Sequence, residues 1–320
     1  IDDLLITNID ACIDEFDGSE REQRMGRLSN PENVAFVVYT SGSTGVPKGI
    51  MHRHHGMVSI CLWLIAQYPS NGREKYAIKT SCVFIDSFFE ILLPLFRGDS
   101  MVIFSDDQVY DVEQFLSLMR SEKVTRLMLV PSLLKVLATQ PDAERALAHV
   151  NLCITSGEAL DTSIAIQIEK LLPSLPMANF YGCSEAGADA TYFDFSAREK
   201  GSLRSIPAGR PVGNMLIYIC SSTLELQPVG VMGEVFIGGV NMMMGYLNHP
   251  ELTKERYIEN PFLSEEDREK LKGLGYETRV YRTGDLGRWL PDGNMEYLGR
   301  ADHQVKIRGH RIECGEIAST

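Results

Sequence analysis

The chain has 320 residues, 44% of them hydrophobic, enough to bury one large core or two smaller ones. Its 31 Lys and Arg against 43 Asp and Glu leave a net charge of -12 with no clustered basic block, which argues against nucleic acid or an anionic membrane surface as partner. There is no signal peptide and no apolar run long enough for a bilayer, and the seven scattered cysteines lack a CxxC pair, so they read as reduced thiols of a cytoplasmic protein acting on small molecules.

Residues 1–33 begin without an initiator Met and read as a linker or partial N-terminal region of a longer chain. From 34 to 189, short β-branched runs alternate with helical patterns. "NVAFVVYT", "KYAIKTSCVF", "SMVIF", "VTRLMLV" and "VNLCITSG" read as strands. "DSFFEILLPLFRG", "DVEQFLSLMRSE" and "SLLKVLATQ" carry the i, i+3, i+4 spacing of amphipathic helices. That alternation predicts an α/β fold, a parallel sheet with flanking helices. Between 190 and 302 the texture changes. "MLIYICS", "GEVFIGG", "LGRWL" and "NMEYLG" are short strands between Gly, Pro and Asp turns, which predicts a β-rich, mostly antiparallel region. "LSEEDREKLKGLGYETR" is charged enough for a solvated helix or loop, and 303–320 reads as the start of a further unit.

The sharpest local signal is "VVYTSGSTGVPKGIMH", a strand running into a loop of small and hydroxylic residues closed by Lys48. Small residues let backbone N–H groups approach a phosphate, Ser and Thr add hydroxyls, and Lys adds a point charge. The Walker A spacing is absent. "MHRHHG" places His52, His54 and His55 together, but no Cys or carboxylate is spaced with them as a metal set requires.

In order along the chain, that loop, "NFYGCSEAG", "GEVFIGGVNMMMGYLN" and "YRTGDLGRWLPDGNMEYLGRADHQVKIRGHRIECGEI" resemble the motifs of the adenylate-forming (ANL) superfamily, and within it the adenylation domains of nonribosomal peptide synthetases. The resemblance spans roughly residues 34 to 317, with Ser184 for the usual Thr and Cys183 where Pro is common. It implies the large N-terminal subdomain of that fold, truncated at both ends. It also implies ATP- and magnesium-dependent adenylation of a carboxylic acid, followed by transfer to the phosphopantetheine of a carrier domain in a multidomain synthetase.

By the same resemblance, Thr40, Ser41, Gly42, Ser43, Thr44, Gly45 and Lys48 would hold the β- and γ-phosphates, with Thr44 also in reach of magnesium. Ser184 belongs to the nucleotide-binding motif, and Glu185 would bind magnesium. Tyr181 would stack on adenine, Gly157 and Glu158 would line it, and Asp285 would take both ribose hydroxyls. Arg300 would reach ribose or phosphate oxygens, Asp302 would be the hinge, and His54 would lie near the acyl site. A second catalytic Lys belongs to the family's small C-terminal subdomain and has no counterpart here. The chain as given is expected to bind nucleotide and acyl group better than it turns over.

The acyl pocket would be lined by Ile85, Asp86, Phe89, Met128, Ile154, Ser156, Phe180, Ala188 and Asp189. Domains that activate α-amino acids place an Asp five residues before Glu90 to grip the α-ammonium, but here that position is Ile85 and the acid falls one residue later. Two carboxylates, Asp86 and Asp189, in an apolar pocket call for a cation between them, such as an ammonium set further from the substrate carboxylate. This pattern resembles β-alanine-activating domains, including the Ebony-type β-alanyl-amine synthases of animals. Other readings stay open. Asp86 can be a helix N-cap instead; the substrate can be a keto, aryl or fatty acid without an amine; or the chain can be a non-catalytic nucleotide-binding module.

Overall fold

The computed structural model describes residues 30–41, 47–70, 72–195, 205–273, 276–302, 304–307 and 309–313. Its largest sheet has seven strands: β3 (Lys75–Ile78), β4 (Ser100–Ile103), β5 (Arg126–Leu129), β6 (Leu152–Thr155), β7 (Met177–Tyr181), β8 (Thr191–Asp194) and β9 (Arg210–Pro211). The spatial order is β4-β3-β5-β6-β7-β8-β9. The first five in this order pair in parallel, and β8 and β9 join antiparallel.

Alternation along these strands divides the core. Leu127, Leu129 and Cys153 pack with Phe115, Met119, Leu134 and Ile168 on one face, while Met128, Leu152 and Ile154 join Phe89, Phe180 and the rest of a larger core on the other. Both faces are covered, as parallel strands require, and β5 and β6 are buried at every position.

The antiparallel sheet is built from β10 (Met215–Cys220), β11 (Gly233–Gly239), β13 (Tyr257–Glu259), β14 (Arg279–Trp289) and β15 (Met295–Arg300). They run in the order β10-β11-β14-β13, with β15 also on β14. A third sheet joins β1 (Val34–Thr40) and β2 (Lys48–Arg53) to β12 (Gly245–Tyr246), and β16 (Gln304–Ile307) pairs with β17 (His310–Glu313) as a hairpin. Among the described residues, no helix is long and apolar enough to cross a membrane.

The elements read from the sequence are present, with four differences. "NVAFVVYT" forms β1, but this strand pairs antiparallel with β2 and stands outside the parallel sheet. "KYAIKTSCVF" is a strand only to Ile78. Beyond it, the carboxylate of Glu90 accepts from the backbone N–H groups of Lys79 and Thr80, so the segment turns toward the helix Asp86–Arg97. The change from parallel to antiparallel pairing falls inside the large sheet, which extends through β9 to Pro211 rather than ending near 189. Helices at His54–Gln67 and Thr162–Leu171 carry no pattern marked in the sequence. "SEEDREKLKG" does form a helix, Glu265–Gly273, with no buried residue.

Candidate active site

In an open α/β sheet, ligands bind beyond the carboxyl ends of parallel strands. Here β6 delivers Ser156, Gly157 and Glu158, β7 delivers Gly182, Cys183 and Ser184, and the turn after β3 delivers Ile85 and Asp86. One cleft collects Ser156, Gly157, Gly182, Cys183, Ser184, Ile85, Asp86 and Ala188 with Thr40 and Ser41 from the end of β1, and with Asp285 and Arg300 from the antiparallel sheet. It continues past Glu158, Tyr181, Tyr297 and Asp302 as a groove.

Backbone geometry fixes the turn after β7. A Cβ on Gly182 would lie 1.9 Å from the Ala188 carbonyl oxygen, so only glycine permits this approach. Ala188 itself has φ 76°, a strained conformation for a residue with a side chain, and it faces the cleft.

The antiparallel register sets Thr40 opposite Lys48, so these residues bracket the loop between β1 and β2. Gly42, Ser43, Thr44 and Gly45 lie outside the described residues. Thr40 Oγ1 is buried with no partner among the described residues, and Lys48 is buried with its ammonium 5.1 Å from the Tyr246 ring centroid. Glu185, in the short turn Ser184–Ala186, is fully buried. The Tyr246 hydroxyl donates to its Oε1 at 2.9 Å and lies 3.4 Å from the Tyr281 hydroxyl. Tyr246 was missed in the sequence; its only signal there was the Gly-Tyr step of "MMMGYLN". The fully buried Glu185 carboxylate and, at the end of β1, the Thr40 hydroxyl are hard oxygen donors of the kind magnesium takes, an ion that uses few protein ligands and shares the rest with phosphates.

At the other end of the cleft, Asp285 accepts from the Tyr181 hydroxyl at 2.6 Å and from Arg300 Nη1 at 2.8 Å. Arg300 also forks onto Asp302, with Nε–Oδ1 at 2.5 Å and Nη2–Oδ2 at 2.6 Å. These bonds hold the Asp302 carboxyl below its ordinary range. Burial, then Asp285, pushes the Tyr181 phenol far up, so it stays a donor. Glu158 accepts from the Ser132 N–H at 3.0 Å and the Gly309 N–H at 2.9 Å, and so ties the loop after β6 to the turn of the β16–β17 hairpin.

Several expected residues fall elsewhere. His54 is exposed and opens onto a separate depression with Pro31, Trp63 and Asn214, because the helix starts there. His52, on β2, is the histidine beside Glu185: it is 3% exposed and its ring stacks on that of its cross-strand partner Phe36 at 5.0 Å. Burial lowers its pKa to about 4, against the opposing pull of Glu185. His55 pairs with Glu32 at 2.8 Å, so the three histidines do not converge.

Phe89, Met128 and Ile154 line a separate apolar cavity with Leu64, Tyr68 and Arg126, and Phe180 packs edge-on against Trp63 at 6.1 Å. Asp189 is fully buried and accepts from Ser156 Oγ at 3.1 Å, so it stands behind Ser156 while Asp86 faces the cleft. Ile85 occupies the N-cap position of the helix, no side chain caps this end, and Asp86 is the first helical residue, not its cap.

This cleft lies at the carboxyl ends of parallel strands and is closed by an antiparallel sheet. A family model described as "AMP-binding enzyme" matches residues 5–247, and the chain belongs to that family. It is 38% identical to tyrocidine synthase 3 of Brevibacillus parabrevis over 299 residues, 93% of this chain and 4% of the relative. It is likewise 38% identical to the vanchrobactin synthetase VabF of Vibrio anguillarum, over 94% of this chain and 10% of the relative. The chain thus spans a small part of those two proteins. The solved NpsA-ThdA, an artificially fused adenylation–PCP di-domain from Klebsiella oxytoca, aligns with TM-score 0.75 and 26% identity over 90% of this chain and 55% of that one.

Proposed function

We propose that this chain is the ATP-dependent, carboxylate-adenylating part of a larger synthetase, acting on β-alanine or a similar β-amino acid. The substrate carboxylate attacks the α-phosphorus of ATP, the bond from that phosphorus to the α,β-bridging oxygen breaks, and pyrophosphate leaves with the electron pair. A phosphopantetheine thiolate of a carrier domain then attacks the acyl carbonyl and releases AMP.

Thr40, Ser41 and Lys48 hold the terminal phosphates, Tyr181 and Gly157 border the base, and Asp285 with Arg300 receives the ribose. A carboxylate has about four lone-pair sites, so Asp285 keeps acceptors after serving Tyr181 and Arg300. Magnesium, held by Glu185, would neutralise charge on the phosphates. Asp302 acts as the hinge before the β16–β17 hairpin.

The observation that carries the substrate reading is the pair Ile85 and Asp86. Ile85 is 4% exposed and cannot serve an α-ammonium, while the neighbouring carboxylate opens into the cleft beside Ser156. Asp189, hydrogen-bonded through Ser156, backs this face with further negative charge. Acid-dependent ATP–pyrophosphate exchange with β-alanine, L-alanine, 4-hydroxybenzoate and hexanoate tests it. β-Alanine should give the fastest exchange; fastest exchange with an acid lacking an amine contradicts the assignment of Asp86.

A further inference from the structure

We propose that Tyr246 is a positioning residue that ties Glu185 to Lys48 and so couples divalent cation to nucleotide; this rests on reading the cleft as a magnesium–ATP site. Two different parts of one side chain make the link. The phenol O–H donates to Glu185 Oε1 at 2.9 Å, and the ring face lies toward the Lys48 ammonium, 5.1 Å from the centroid. A ring quadrupole attracts a cation, and a hydroxyl donor fixes the orientation of a carboxylate.

The surroundings leave this side chain little freedom. Tyr246 is 2% exposed, its N–H donates to Thr253 Oγ1 at 2.9 Å, and the following Leu247 N–H bonds the Gly49 carbonyl at 2.8 Å. Tyr246 is also the register partner of Ile50, two residues beyond Lys48 on β2. Glu185 is bound from the same side, since the Met243 N–H donates to its carbonyl at 2.9 Å. The short strand β12 therefore anchors an anionic and a cationic group of the phosphate end at once. Removing the hydroxyl should disturb the cation-dependent part of binding, and removing the ring should also disturb the phosphate contact through Lys48.

The test is calorimetric titration of ATP, with magnesium and with EDTA, into wild type, Tyr246→Phe and Tyr246→Leu. Tyr246→Phe should keep the metal-free ATP affinity within about twofold while raising the half-saturating magnesium concentration about tenfold. Tyr246→Leu should in addition weaken metal-free ATP binding by roughly three- to tenfold. An unchanged magnesium midpoint in Tyr246→Phe, or an equal loss with and without metal, overturns the proposal. If Tyr246→Phe does not fold, Glu185→Gln and the double variant Glu185→Gln/Tyr246→Phe replace it, because no carboxylate is then left one donor short. The double variant should match Glu185→Gln, and a further shift overturns the coupling. Wild type that binds no ATP overturns the nucleotide reading itself, and is recognised before any substitution is compared.

Discussion

Tyr181 donates its hydroxyl to Asp285 at 2.6 Å across the boundary between the parallel and antiparallel sheets. The bond joins the residue assigned to the base with the residue assigned to the ribose. Tyr181→Phe removes a donor to a buried charge, an interaction worth about 1.5–3 kcal/mol. It should weaken ATP binding about tenfold and narrow the preference for ATP over 2′-deoxy-ATP, measured by calorimetry. A preference equal to wild type contradicts the ribose assignment.

The same logic applies one strand away. Ser156 supplies a hydrogen bond to the fully buried Asp189. Ser156→Ala should cost about 1–3 kcal/mol in urea unfolding. Adding Asp189→Asn should recover part of that loss, because a neutral amide is less costly to bury than a carboxylate. Additive losses in the double variant contradict the pairing.

His52 gives a pH dependence. Its folded pKa, about 4, lies below the unfolded value of 6.5, so acid favours the unfolded chain. The stability concerned is present above the unfolded value and is lost as pH falls from there toward the folded one. Metal-free protein should lose about 2 kcal/mol between about pH 7.5 and about pH 5 through this group. His52→Gln should flatten that part of the profile, and a variant as steep as wild type contradicts the assignment.

Glu90 anchors the turn that carries Ile85 and Asp86. It accepts from two backbone N–H groups and the Thr80 hydroxyl, and it pairs with the buried Lys79 ammonium at 3.0 Å. Glu90→Ala leaves that ammonium uncompensated and should destabilise the fold by about 3–5 kcal/mol, read from the urea midpoint. Restoration of most of this by Lys79→Met in the same chain would locate the loss in the ion pair.

Much of this was legible in the sequence because period and turn chemistry are local. The strands ending at Thr40, Leu129 and Thr155, the helix from Asp86 and the separate β-rich region follow from patterns a few residues long. The layering of the site is not local. Asp189 and Asp86 look equivalent as two acids in apolar runs, yet Ser156 stands between Asp189 and the cleft. Phe89, Met128 and Ile154 belong to the same core as the cleft residues Ile85 and Ala188 but border another cavity. His52 and His54 differ only by two positions, and what separates them is that β2 ends at Arg53 and a helix begins. Tyr246 comes from a two-residue strand, too short to leave any periodicity.

The most direct test of the central claim is a thermal-shift titration with non-hydrolysable sulfamoyl adenylates carrying β-alanyl, L-alanyl or hydroxybenzoyl groups. A ligand bound to the folded state stabilises it by RT ln(1 + [L]/Kd), about 2.7 kcal/mol at roughly 100 Kd, enough to rank the three. The β-alanyl compound should stabilise most, and Asp86→Ala should remove that preference while all three still bind through the nucleotide. A largest shift with the hydroxybenzoyl compound, or a β-alanyl preference that survives Asp86→Ala, would contradict the account.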